Sequence, residues 1–141
     1  MLTNKFKINY SIGSVANGIK TDTFTFFLLF FYSNIIGLNP GLAGLAIFIA
    51  LCVDAITDPL MGTISDRTNS KYGRRHPYMM ISFIPMSLGY ILLFAPRQDW
   101  DMSQNDLFVW MTLFTVLTRI GMTLFDIPHR AFGGEVTKDY E

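Results

Sequence analysis

The stretch "GLAGLAIFIALCVDAITDPLMGTIS", residues 41–65, limits what this chain can become more than any other. It is long and apolar enough to cross the roughly 30 Å hydrocarbon core of a bilayer, which takes about 20 residues of helix. Yet it places two carboxylates, Asp54 and Asp58, at the depth where charge is most expensive. Their spacing of four puts both on one helix face, with Cβ atoms roughly 5–6 Å apart. Pro59 follows directly. Its ring has no N–H to donate and crowds the carbonyl four residues back, so the carbonyl of Ala55 is freed between the two acids.

Three more apolar segments can be drawn, so that the expected spans are 9–36, 41–64, 78–96 and 107–131. Together they predict an all-α membrane protein of four transmembrane helices, with little left for a soluble domain. Eleven acidic against eleven basic side chains leave no net charge, which argues against nucleic acid as a partner. Cys52 is the single cysteine, so no internal disulfide forms, and a packed, inert thiol is expected. The basic start "MLTNKFKINY" precedes a segment too long and too polar for a signal-peptide core, and no cleavage is expected.

Orientation follows from the basic residues beside the spans. Lys5 and Lys7 precede the first span, and Arg67, Lys71, Arg74 and Arg75 fill the second connection, whereas "SNIIGLNPG" carries no charge. Both ends of the chain are therefore expected in the cytoplasm. The third connection, "RQDWDMSQND", is acidic and suits the outer face, where Trp100 and Trp110 would sit as interfacial aromatics.

The residues that carry chemistry are few. Asp54, Asp58 and the Ala55 carbonyl offer hard oxygen ligands of the type Na⁺ uses, or H⁺ in its place, and Thr57 adds a hydroxyl only if the helix is distorted. The competing reading has both acids protonated, or paired with lysines on neighbouring helices. In the first span, Gly13, Asn17 and Lys20 form one polar stripe, and Gly18 and Asp22 a second. Lys20 and Asp22 point apart and need separate partners. At the end of the second span, Asp66 and Arg67 can latch onto a neighbouring helix terminus, although a positive-inside loop alone explains the arginines. The fourth span buries Arg119 and Asp126, seven apart and roughly on one face, with Pro128 kinking the helix beside the acid. Asp126 can accept hydrogen bonds from ligand hydroxyls. The alternatives are an Arg119–Asp126 structural pair or snorkelling to the interface. His76 and His129 are read as interfacial.

The combination "DAITDPLMG…DR……GRRHP" with "TLFDIPHRA" resembles the glycoside-pentoside-hexuronide cation symporters, a family within the major facilitator superfamily. The resemblance covers essentially the whole chain, which would supply the first four of the family's twelve helices. It implies that Asp54 and Asp58 form the coupling-cation site, that Asp126 contacts sugar hydroxyls, and that Gly62, Asp66, Arg67, Gly73, Arg74 and Arg75 form a cytoplasmic gating motif. The family's first-helix substrate acid falls on Gly18 here, with Asp22 one turn further out. Gly18, Lys20 and Asp22 are thus the candidate substrate-facing residues of that helix. An aromatic expected after the D-I-P motif is replaced by His129 and Arg130.

Na⁺- or H⁺-coupled symport of a sugar or glycoside in the cell's inner membrane is the implied activity, without a cofactor. Its partners would be the bilayer, a small-molecule substrate and the remainder of the transporter. Lipid-transporting cousins share a similar acid pair, so a lysolipid substrate stays open, as does a non-transporting fragment. The chain ends at "KDYE", where a further helix would begin, and a truncated gene or partial chain is expected, unable to transport alone. An intramembrane enzyme is the competing class, but neither the G-x-G-D element of intramembrane proteases nor the longer Asp-rich run of phosphoalcohol transferases occurs.

Overall fold

A computed structural model describes residues 24–68, 76–97 and 99–138, with the side chains of residue 76 and of 132–138 left aside. All regular structure among these residues is helical: α1 (Phe24–Ile36), α2 (Pro40–Arg67), α3 (His76–Ile81), α4 (Phe83–Leu93) and α5 (Gln104–Lys138).

Local chemistry sets the ends. The last turn of α1, Phe31–Ile36, is π-wound and stops at Gly37, whose φ of 88° is left-handed backbone that glycine adopts without a Cβ clash. Asn39 caps α2, its side-chain oxygen accepting from the Gly41 N–H at 2.8 Å, and Pro40 takes the first helical position, where no N–H is needed. Ser103 and Asp106 cap α5 reciprocally. The Ser103 hydroxyl accepts from the Asp106 N–H at 3.2 Å, and the Asp106 carboxylate accepts from the Ser103 N–H at 3.3 Å.

Two helical stretches are long and apolar enough to cross a membrane, Pro40–Arg67 and Gln104–Ala131. Of the other two expected spans, the described part of the first is Phe24–Ile36, and the third is the apolar stretch Pro77–Leu93. That third stretch is interrupted at Ser82 between α3 and α4. Pro85 explains the break: it cannot bond the Ile81 carbonyl four residues back, and its ring pushes that turn open.

The central helix is α5, with α2 packed along one side and α3 and α4 along another. Cross-helix contacts give the directions. Asn39 to Gln104, Asp54 to Arg119 and Asp58 to Thr123 are each separated by 65 residues, so α2 and α5 run parallel and in register. Against α4 the pairs run the opposite way, Met86 beside Gly121 and Gly89 beside Thr118. A Cβ on Gly121 would sit 2.7 Å from the Met86 nitrogen, and one on Gly89 would sit 3.0 Å from the Thr118 Cα. The backbones approach so closely only because these residues are glycines, as at helix contacts in lipid, where van der Waals packing drives association.

The end of α4 is finished by side chains. Its last carbonyls have no helical partner, and the buried Tyr32 hydroxyl donates to Leu93 O at 2.6 Å while the Trp110 indole donates to Leu92 O at 2.9 Å. Outward faces are apolar, with Phe26 74% and Phe83 69% exposed. On a water-soluble monomer such a surface is a liability; against lipid it matches the solvent.

The close α4–α5 contact yields a prediction. Gly121→Ala should lower stability by about 1–3 kcal/mol, because the Met86 backbone cannot retreat. Gly44→Ala, where nothing lies within 4 Å of the added carbon, should be neutral or slightly stabilising. Thermal unfolding in detergent compares the two, and equal effects would contradict the packing argument.

Candidate functional site

Charged residues from the middle of α2 and α5 meet in one cleft of about 130 Å³. Asp54 and Asp58 line it from α2, and Arg119, Thr123, Asp126 and Arg130 line it from α5, with Met122 and Ile127 as its apolar lining. The α5 residues recur at intervals of three and four, which is what places them on one stripe. The parallel register does the rest, setting that stripe against the acid face of α2 near the middle of both long helices.

Arg119 is 9% exposed and reaches across the interface to Asp54, Nη1 donating to Oδ2 at 2.5 Å. Its Nη2 donates to the Thr25 hydroxyl on α1 at 3.3 Å. Arg119 Nε and Asp54 Oδ1 are buried without a hydrogen-bond partner among the described residues. One turn along, the Thr123 hydroxyl donates to Asp58 Oδ1 at 2.8 Å. Asp126, half-buried, makes no hydrogen bond or ion pair with a described residue.

Arg119 pairs with Asp54, which corrects the Arg119–Asp126 pair drawn from the sequence; the lysine side chains that could partner the α2 acids lie outside the described residues. Seven residues separate Arg119 from Asp126 by about 10.5 Å along the axis, whereas parallel packing brings Asp54 to the level of the guanidinium. Thr57 turns its hydroxyl back to the Asp54 carbonyl at 3.4 Å, the usual helical bond for a threonine, and Ala55 is exposed. Neither lines the cleft, whereas Asp54, Asp58 and Asp126 all do.

Asp66 and Arg67 lie exposed on the last turn of α2, and Gly62 packs toward Ile127 of α5. Gly18, Lys20, Asp22, Gly73, Arg74 and Arg75 lie outside the described residues. Sequence reasoning missed Thr123 and Thr25. Thr123 was detectable, since it stands four residues after Arg119 and three before Asp126; Thr25 belongs to the site only through the α1–α5 contact.

The donor set is hard oxygen: both carboxylates of α2 and the Thr123 hydroxyl. Among the described residues no three His, Cys, Asp or Glu side chains gather closely enough to hold a metal ion together.

Ionisable side chains gathered around a cleft between two helices long enough to cross a membrane are the arrangement of a membrane protein that uses those groups. Residues 9–141 match the family model described as MFS/sugar transport protein, and the chain belongs to that family. It is 32% identical to the inner membrane symporter YicJ of Escherichia coli, over 99% of this chain and 30% of the relative. It is 31% identical to the putative glycoside/cation symporter YagG of the same organism, over 98% of this chain and 29% of the relative. Similarity extends to the sodium-dependent lysophosphatidylcholine symporter 1-A of Danio rerio, 32% identical over 92% of this chain and 24% of that protein. The chain thus spans under a third of the length of these relatives. No solved structure matches it.

The partner of Arg119 can be checked by double-mutant cycles on unfolding stability. Asp54→Asn with Arg119→Gln should show a coupling of about 1.5–3 kcal/mol, as for hydrogen bonds to charged groups. Asp126→Asn with Arg119→Gln should be additive within about 0.5 kcal/mol. A larger coupling to Asp126 would reverse the assignment.

Proposed function

We propose that this chain contributes the first four helices of a cation-coupled symporter that carries a sugar or glycoside with Na⁺ or H⁺ across the inner membrane. The reading rests on one observation, the convergence of Asp54, Asp58 and Asp126 on a single cleft between parallel, membrane-length helices. In it, Asp54 and Asp58 hold the coupling cation with Thr123 as an added oxygen, and the unpartnered Asp126 accepts hydroxyls of the substrate. A lone carboxylate is a poor cation cage and a good acceptor. Gly62, Asp66 and Arg67 belong to a gating segment at the end of α2.

Orientation has its own support. The parallel register puts Arg67 and Arg130 toward the same end of the bundle, with Lys71, Arg74 and Arg75 in the connection leaving α2, whereas Asp99, Asp101 and Asp106 gather at the other. The basic end is assigned to the cytoplasm by the positive-inside rule. Alternating access needs two facing halves around the site, so transport belongs to the complete protein and not to these 141 residues. A lysolipid substrate is the second reading, favoured by the likeness to the Danio rerio symporter.

In the complete transporter reconstituted in liposomes, Asp58→Asn should abolish cation-driven accumulation while leaving membrane insertion intact. Unchanged uphill uptake with unchanged Na⁺ and pH dependence would refute the cation assignment. Comparing uptake of a labelled glycoside with that of lysophosphatidylcholine decides between the two substrate classes.

Asp126→Asn should weaken substrate binding by roughly 1–3 kcal/mol, the penalty for an unmet buried hydrogen bond, with cation affinity nearly unmoved. Equilibrium binding of substrate and of Na⁺ separates the two effects. Lost cation affinity with intact substrate affinity would reverse the roles.

A further inference from the structure

The Asp54–Arg119 pair sits where a cation would. Among the described residues the cleft is lined by three carboxyl groups, Asp54, Asp58 and Asp126, and two guanidinium groups, Arg119 and Arg130. Arginine stays protonated inside proteins, so Arg119 is a permanent positive charge on a tether. It is more than nine-tenths buried and holds only one oxygen of Asp54. Carboxylate and guanidinium can pair through two parallel hydrogen bonds, but here Asp54 Oδ1 and Arg119 Nε are each buried and, among the described residues, without a partner. Among the described residues the pair is therefore incompletely satisfied on both sides, and on the same face the partner of Asp58 is a neutral hydroxyl.

We propose that Arg119 is a tethered competitor of a monovalent metal cation at Asp54, so that cation binding has to displace its guanidinium from that carboxylate. The inference rests on the reading of Asp54 and Asp58 as the cation site and adds a residue that sets the site's affinity from outside its ligands. The physical reason is like-charge repulsion: a metal ion shared by Asp54 and Asp58 would lie within a few ångströms of the guanidinium, and the two cations repel in a poorly solvated cleft. Both groups satisfy the same carboxylate, and only one can hold it fully. Thr25 on α1 marks one place where the displaced guanidinium already has an acceptor.

The test is Na⁺ binding to the purified complete transporter, followed by calorimetry at fixed pH without substrate. A competitor that occupies its site about 90–99% of the time weakens apparent affinity about ten- to a hundredfold, and that is the gain expected for Arg119→Gln. Arg119→Lys keeps the charge and should stay near the wild-type affinity. Thermal unfolding checks that each variant is folded, and Arg119→Lys carries the test by itself if Arg119→Gln is not: a large change in Na⁺ affinity in the folded lysine variant counts against the proposal.

A role in packing alone would weaken Na⁺ binding in both variants or leave it unchanged in Arg119→Gln, and either result overturns the proposal. Undetectable Na⁺ binding in the wild type and in Arg119→Gln overturns it as well. Asp58→Asn in the Arg119→Gln background isolates the underlying reading. If Na⁺ still binds tightly there, the cation site itself is misassigned, whatever Arg119 does.

Discussion

Opposite charges at one depth on two parallel helices, Asp54 and Arg119, set the arrangement on which the site depends. Either charge alone in the middle of a membrane-length helix is costly; paired, they cancel each other's field and make the buried position tolerable. The pair also fixes register, since sliding α2 by one turn against α5 would pull the groups about 5.4 Å apart. The same separation of 65 residues at Asn39–Gln104 and Asp58–Thr123 shows that register carried along the whole interface.

Around that interface the chain solves a problem of solvent. Where no water reaches the backbone, each freed carbonyl must find a protein donor or remain an energetic debt. The end of α4 finds two in Tyr32 and Trp110, aromatic side chains whose apolar bodies pack while their polar tips donate. The glycines of α4 and α5 contribute by omission, letting backbones approach to a distance that any side chain would prevent. The polar cleft on one side of α5 is thus backed by a tight, apolar contact on the other.

Much of this was legible in the residues. Two acids four apart had to share a face, and the long apolar runs at 41–64 and 107–131 correspond to Pro40–Arg67 and Gln104–Ala131. What stayed hidden was relational. Periodicity along α5 says that Arg119 and Asp126 share a side, but which group Arg119 grips depends on the level at which α2 passes, and no local pattern encodes that. Thr123 is a milder case, since its place on the stripe was visible while its bond to Asp58 was not. The interruption at Ser82 could be read from Pro85, whose position removes a helical bond whatever surrounds it.

Gln104 joins three parts of the chain with one amide. Its oxygen accepts from the Asn39 N–H at 2.8 Å and its nitrogen donates to the Gly37 carbonyl at 2.9 Å, so the corner between α1 and α2 is buckled to the first turn of α5. Two rods tied at one end carry that offset along their length, so each later pair meets at the same separation of 65 residues. Asp54 stands about 15 residues along from Asn39, roughly 22 Å of helix, so an amide at the rim of the bundle sets which charges meet in its middle.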